Sequence, residues 1–173
     1  MKILAFAASS SKKSINKQLV TYSVGLLKNT QTKILDLNDY ELPLFSEDKE
    51  IELGKPQLAQ DFLSAIGDSD AVIISFAEHN GSYSVAYKNL FDWCSRINPK
   101  PFQNKPMILL ATSPGSGGAS SILKFVIQSM PYFGGNVKGS LSVPNFYDNF
   151  DVKANSMKKG DFESKLVKVM QSL

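Results

Sequence analysis

Hydroxyls, amides and glycines crowd into three short stretches of this chain, and each stretch directly follows an apolar run. The first is Ala8-Ser9-Ser10-Ser11-Lys12-Lys13-Ser14-Ile15-Asn16. The second is Ala77-Glu78-His79-Asn80-Gly81-Ser82, and the third is Thr112-Ser113-Pro114-Gly115-Ser116-Gly117-Gly118. In the first, serines, lysines and an asparagine stand where a helical pattern begins. Free backbone N–H groups at a helix N-terminus, with hydroxyls and positive charge nearby, suit an anion such as a phosphate monoester. The plainer reading is that Ser14 caps the helix and the rest is a solvated turn. Neither Gly-x-Gly-x-x-Gly nor a Walker lysine pattern is present, which speaks against a dinucleotide or ATP in that loop.

In the second stretch, Glu78, His79, Asn80, Gly81 and Ser82 are expected at the carboxyl end of a strand. Gly81 permits close backbone approach or an unusual φ. His79 is the only histidine and Cys94 the only cysteine. With no second histidine and no paired carboxylates beside it, no metal site is expected; a flat ring beside a flat cofactor suits His79 better. Cys94 falls within a helical pattern and is expected to be a buried structural thiol. The third stretch, rich in glycine, exposes backbone against which a planar ring can lie, or else is a flexible turn. Ser113 lacks the Gly-x-Ser-x-Gly elbow of a hydrolase nucleophile. Together the three loops suggest a nucleotide-type cofactor, with a flavin as the best candidate.

The elements that must position these loops are legible from apolar periodicity. Strands are predicted over residues 2–7, 32–37, 70–76, 106–111 and 136–143. Several are nearly continuous in Val, Ile, Leu and Ala, as strands covered on both faces are. Helices are predicted over 14–28, 55–66, 82–97, 119–133 and 161–173, with Gly134-Gly135 stopping the fourth. Strict alternation implies right-handed crossovers and a doubly wound sheet. Five strands in this length suit an α/β, flavodoxin-like three-layer sandwich with a parallel sheet of order 2-1-3-4-5, and ligands at the carboxyl ends of the strands. Residues 38–54 and 144–160 read as long loops without secondary structure, and such loops usually bind something or make subunit contacts.

At 173 residues the chain is expected to form one domain, 1–173. Its net charge of +3 is a mild surplus that gives no dense basic stripe, so nucleic acid is not an expected partner. No apolar run approaches the ~20 residues of a membrane span, and the N-terminus lacks a signal peptide, so a cytoplasmic location is expected.

The same three stretches resemble the NADPH-dependent FMN reductase family, which includes quinone, chromate and azo-dye reductases of flavodoxin-like fold. Members carry a first loop of Gly-Ser-x-Arg-x-x-Ser-x-Asn type, matched here by residues 8–16. They carry Pro-Glu-Tyr-Asn and then a helix ending in Asp-Trp-x-Ser-Arg, matched by Ala77-Glu78-His79-Asn80 and by Asp92-Trp93-Cys94-Ser95-Arg96. They carry Ser-Pro-Gly-x-x-Gly-Gly, matched, one residue shorter, by Ser113-Pro114-Gly115-Ser116-Gly117-Gly118. The resemblance implies that Ser9, Ser11, Ser14, Ile15 and Asn16 hold the FMN phosphate. It implies that Ala77, Glu78, His79, Asn80 and Ser82 line the ribityl chain and ring, and that Ser113 and Gly115 edge the ring from the other side. Ser11 stands where the family has arginine, Ala77 where it has proline, and His79 where it has tyrosine.

The resemblance further implies that the flavin N5 carries the chemistry, with no catalytic side chain required. NADPH or NADH would donate to it, and a quinone, free flavin or similar small acceptor would leave with the electrons, by a ping-pong mechanism. It implies a homodimer or homotetramer, for which the helix with Tyr87, Phe91 and Trp93 is a candidate contact; burial of those rings in their own core is the alternative. Three other readings use the same fold. A flavodoxin-type electron carrier is disfavoured by the mild basic charge. A phospho-receiver module needs carboxylates where this chain has Ser75-Phe76-Ala77 and Ala8-Ser9. A flavin-less interaction protein is the third.

Overall fold

The computed structural model describes residues 1–173. In chain order its elements are β1 (Lys2–Ala8), α1 (Ile15–Gly25), β2 (Gln31–Leu35), α2 (Glu47–Leu53), α3 (Gln57–Gly67) and β3 (Ala71–Phe76). A short pair follows, β4 (Glu78–His79) and β5 (Ser82–Tyr83), then α4 (Val85–Ile97), β6 (Pro106–Thr112), α5 (Ser120–Ser129) and β7 (Asn136–Val143). The chain ends with α6 (Phe146–Asn149), a second short pair β8 (Phe150–Asp151) and β9 (Ser156–Met157), and α7 (Asp161–Met170).

The five long strands form one parallel sheet in the order β2-β1-β3-β6-β7, the flavodoxin-like order expected. Alternate residues of each strand point to opposite faces, and the core divides accordingly. Leu4, Phe6, Val72, Ile74 and Leu109 meet α3, α4 and α5 on one face. Ile3, Ala5, Ala7, Ile73, Ile108 and Leu110 meet α1 and α7 on the other. Both faces of β1, β3 and β6 are covered, which is why those strands read as unbroken apolar runs. Ala8, Phe76, Ala111 and Ser142 stand in register across four strands, so the segments that follow them emerge along one edge. The direction in which successive strands are added to the sheet reverses between β1 and β3, and crevices of open α/β sheets lie at that switch point.

Four expectations are corrected. Residues 82–97 are not one helix. Asn80 (φ 52°) and Gly81 (φ 74°) turn a tight hairpin that pairs Glu78 with Tyr83 and His79 with Ser82. Asn-Gly is the dipeptide such turns favour, because both central residues need positive φ. α4 then starts at Val85, capped by Ser84, whose hydroxyl accepts from Tyr87 N–H and donates to Ala8 O.

The 38–54 segment is not structureless: a 3-10 turn at Leu37–Tyr40 and helix α2 lie within or against it. Asn89 and Trp93 of α4 fasten it, through Leu42 O, Pro43 O and Phe45 N–H, at 2.8–3.1 Å. The 144–160 segment likewise folds into α6 and the β8–β9 hairpin, anchored by Phe146 and Phe150, which are buried and stacked at 4.7 Å.

The predicted fourth helix also ends earlier, at Ser129, and tightens to a 3-10 turn over Met130–Phe133. No helix is long and apolar enough to cross a membrane.

Candidate functional site

The polar loops converge at the carboxyl edge of the sheet. A cleft of about 270 Å³ there is lined by Ser9, Ser11, Lys13, Ser14, Ile15 and Asn16 from the first loop and by Ala77, Glu78 and His79 from the second. Thr112, Ser113 and Pro114 close it from the third, and Tyr147 of α6 from a fourth segment.

The first loop is held so that its donors face outward. Ser11 N–H donates to Ser9 Oγ, Ser14 N–H to Ser11 O, and Ser14 Oγ accepts from Lys17 N–H as the cap of α1. Capping therefore occurs as the plainer reading had it, yet it does not use up the loop. The N–H groups of Lys12, Lys13, Ile15 and Asn16 have no acceptor within the protein. Ser9 and Ser14 are each 7% exposed, and their hydroxyls accept hydrogen bonds without donating one. Buried donors normally find partners, so unpaired ones lining a cleft at the positive end of a helix define an anion-binding chemistry.

Asn16 lines the cleft but works as a brace. Its Oδ1 accepts from Ser75 Oγ (2.7 Å) and Thr112 N–H (3.1 Å), and its Nδ2 donates to Thr112 O (3.1 Å). It thus engages both backbone groups of Thr112 as a neighbouring strand would, tying the start of α1 to the ends of β3 and β6.

Glu78 also braces: its Oε2 accepts from Ile122 N–H at 2.9 Å, in the first turn of α5. Ala77 is buried, and His79 is exposed beside the turn.

The glycine loop keeps the N–H groups of Gly115, Ser116 and Gly117 free. It is stapled to the segment after β7, through Asn145 N–H to Gly115 O (2.9 Å) and Phe146 N–H to Ser113 O (3.0 Å). Gly118, at φ 59°, has no room for a side chain, because a Cβ would sit 2.5 Å from Ser142 Oγ and 2.9 Å from Pro144 N.

A sequence model of the NADPH-dependent FMN reductases matches residues 1–148. The chain belongs to that family. The NADPH-dependent FMN reductases are oxidoreductases that use FMN and NAD(P)H. An NAD(P)H-dependent FMN reductase of Pseudomonas aeruginosa is 30% identical over 133 residues, covering 76% of this chain and 70% of that protein. An NADPH:quinone oxidoreductase of Arabidopsis thaliana is 29% identical over 125 residues, covering 70% of this chain and 62% of the plant protein. Among solved structures, a flavoenzyme NAD(P)H:acceptor oxidoreductase from Paracoccus denitrificans shares the fold with a TM-score of 0.77. At 22% identity it covers 99% of this chain and 93% of its own.

Within this FMN reductase fold, the cleft gathers nine of the residues singled out from sequence: Ser9, Ser11, Ser14, Ile15, Asn16, Ala77, Glu78, His79 and Ser113. Asn80, Ser82 and Gly115 do not line it. Asn80 makes the hairpin turn, Ser82 faces a neighbouring groove with Tyr83 and Val85, and Gly115 contributes its carbonyl to the staple.

The Asp-Trp-x-Ser-Arg block proves to be a set of fasteners. Asp92 pairs with Lys88, Trp93 Nε1 donates to Pro43 O, Ser95 Oγ donates to Asp92 O, and Arg96 reaches both carboxylate oxygens of Glu50. Tyr87, Phe91 and Trp93 are buried in their own core. Cys94 is buried as expected, and burial pushes its thiol up to about 12.

Lys13 lines the cleft whereas Lys12 does not. Tyr147 is the residue that motif reasoning missed; its only signal was a cluster of aromatics in a long polar segment.

Proposed function

We propose that this chain holds FMN in the cleft and passes electrons from NAD(P)H to a quinone, a free flavin or a similar small acceptor. One observation carries the reading: the Ser9 and Ser14 hydroxyls, which accept but donate to nothing in the protein, and free backbone N–H groups converge on a single cleft at the switch point of the sheet. Those groups fit the phosphate of a flavin nucleotide, and the free N–H groups of Gly115–Gly117 fit the polar edge of its ring.

The flavin, when bound, supplies the two-electron chemistry at its N5. Ser9, Ser11 and Ser14 donate hydroxyl protons to the phosphate, while the N–H groups of Ile15 and Asn16 present the positive end of α1. Ala77, Glu78 and His79 would line the ribityl chain and ring, with Asn80 and Ser82 shaping the hairpin that carries them. Ser113 would edge the ring from the opposite side, with Gly115 shaping the loop that carries it. Fixed N–H donors at that edge stabilise negative charge arriving on the ring, without reorganisation. In this reading donor and acceptor would meet the same bound flavin in turn, which is ping-pong order. The assembly in this reading is a homodimer or homotetramer. The exposed face of α4, with Val85 67% and the adjacent Leu44 71% exposed, would make its contact.

The test is the visible spectrum of the protein with FMN, before and after anaerobic NADPH, followed by two-substrate kinetics. A flavin band that bleaches with NADPH and parallel double-reciprocal lines are expected. Bound flavin that NADPH leaves oxidised would favour an electron carrier, and no bound flavin would sink the reading.

A further inference from the structure

We infer that Lys13 and Tyr147 form the phosphate-selective end of the cleft, Lys13 supplying the counter-charge and the Tyr147 ring shielding that ion pair from water. This rests on the FMN reading above and assigns to it one further residue of the first stretch, Lys13, and one from outside all three, Tyr147.

Position 11 is a serine here, so the first loop carries its positive charge only on Lys12 and Lys13. Of these, only Lys13 lines the cleft. Lys13 takes part in no ion pair, whereas Lys17, Lys49, Lys88 and Lys165 each have a carboxylate partner. The one carboxylate lining the cleft, Glu78, is held by Ile122 N–H. Lys13 is therefore a free cation beside the buried, unpaired hydroxyl protons of Ser9 and Ser14.

Tyr147 sits on a rigid mount. Residue 147 lies between Phe146 and the short helix's end at Phe150, both buried to within 1%. Its carbonyl accepts from Lys158 Nζ at 2.9 Å, and Phe146 N–H is bonded to Ser113 O. The backbone is thus fixed against the glycine loop, yet Tyr147 as a residue stays 56% exposed and lines the cleft. A large ring held there gains buried area only when the cleft is filled. Excluding water strengthens a charge pair beside it.

The test is titration of the protein, freed of flavin, with FMN and with riboflavin, read by quenching of flavin fluorescence. It is run on the wild type, Lys13→Gln, Tyr147→Ala and Tyr147→Phe, with thermal melts to confirm folding. Lys13→Gln is expected to weaken FMN about tenfold, since a hydrogen bond to a charged group is worth roughly that; Tyr147→Ala is expected to weaken FMN in the same sense by admitting water to the ion pair, and both should leave riboflavin essentially unchanged. Tyr147→Phe should keep the wild-type preference, because the ring and not the hydroxyl does the shielding. A wild-type ratio of FMN to riboflavin affinity in either Lys13→Gln or Tyr147→Ala overturns the inference, as does an Ala-like loss in Tyr147→Phe. A wild type that binds riboflavin as well as FMN also overturns it, with the flavin reading intact. A wild type that binds neither flavin removes the flavin reading itself.

Discussion

The Glu78 carboxylate caps a distant helix, α5, through a residue 44 positions along the chain: its Oε2 accepts from Ile122 N–H at 2.9 Å. Ala119, at the N-cap position of α5, is left-handed (φ 57°) and offers no side-chain acceptor. The carboxylate from the β4–β5 hairpin satisfies an orphan donor there and meets the positive end of the helix. The glycine loop lies between the two partners in the chain, so this one bond closes a frame around it. Glu78→Ala is expected to lower stability by about 1–2 kcal/mol in urea unfolding and to weaken FMN binding. Glu78→Gln, which keeps an accepting carbonyl, should lose less than half of that. An unchanged unfolding midpoint for the alanine variant would show that the cap contributes nothing.

Tyr87 makes the opposite case. Its ring is buried among Phe6, Phe76, Tyr83 and Phe91, and its hydroxyl has no partner. Burial drives the phenol well above its ordinary range. An unpaired buried hydroxyl is a net cost, so Tyr87→Phe should raise stability by about 1 kcal/mol. The fold beneath the hairpin is otherwise untouched, so flavin affinity should not change. A destabilised Tyr87→Phe protein would mean that the hydroxyl has a partner after all.

The sheet was legible from sequence because β1, β3 and β6 are buried on both faces, and continuous apolar runs admit few other readings. The first loop was legible for a related reason: serines and an asparagine ahead of a helical pattern have a limited set of uses. What sequence hid was each contact made across the chain. Asn16 reads as a phosphate ligand until Ser75 and Thr112, brought in by β3 and β6, engage its amide. Glu78 reads as a site carboxylate until Ile122 engages it. The hairpin was missed although Asn80-Gly81 announces it, because the apolar pattern from Tyr83 onward continues smoothly into α4. Tyr147 had no local signature, since its position depends on Phe146 and Phe150 packing against residues far away in sequence.

Asp36 links the end of β2 to α1 and gives the protein an acid-sensitive contact. Its carboxylate pairs with Lys17 and accepts from Asn38 N–H (3.0 Å) and Asn38 Nδ2 (2.7 Å). The Lys17 hydrogen bond, foremost, and the Asn38 backbone bond hold it down to about 2 from an ordinary 3.8, against a smaller opposing effect of burial. The folded state therefore favours the ionised form. Its contribution is complete above the unfolded value and is lost as pH falls through the folded one. With side chains 38% and 31% exposed, the pair is worth less than about 1 kcal/mol and should weaken in salt. Asp36→Asn should be slightly less stable than wild type at neutral pH, and the two stability curves should converge as pH falls from about 4 to about 2. Curves that stay parallel across that range would show that Asp36 is not the group responsible.

Asn16 offers the sharpest separation of scaffold from ligand binding. Asn16→Ala strands Ser75 Oγ and both backbone groups of Thr112 in the core, with a cost of about 3 kcal/mol in urea unfolding. Because the brace orients α1 against the sheet, FMN and riboflavin should weaken together in that variant. Asn16→Asp acts differently. It can still accept from Ser75 and Thr112 N–H, but it faces Thr112 O without a donor and sets a negative charge at the mouth of the anion site. FMN should then weaken far more than riboflavin, and raised salt should recover part of the loss. If the aspartate variant instead lowers both affinities equally, no phosphate comes near Asn16, and the first loop holds some other part of the ligand.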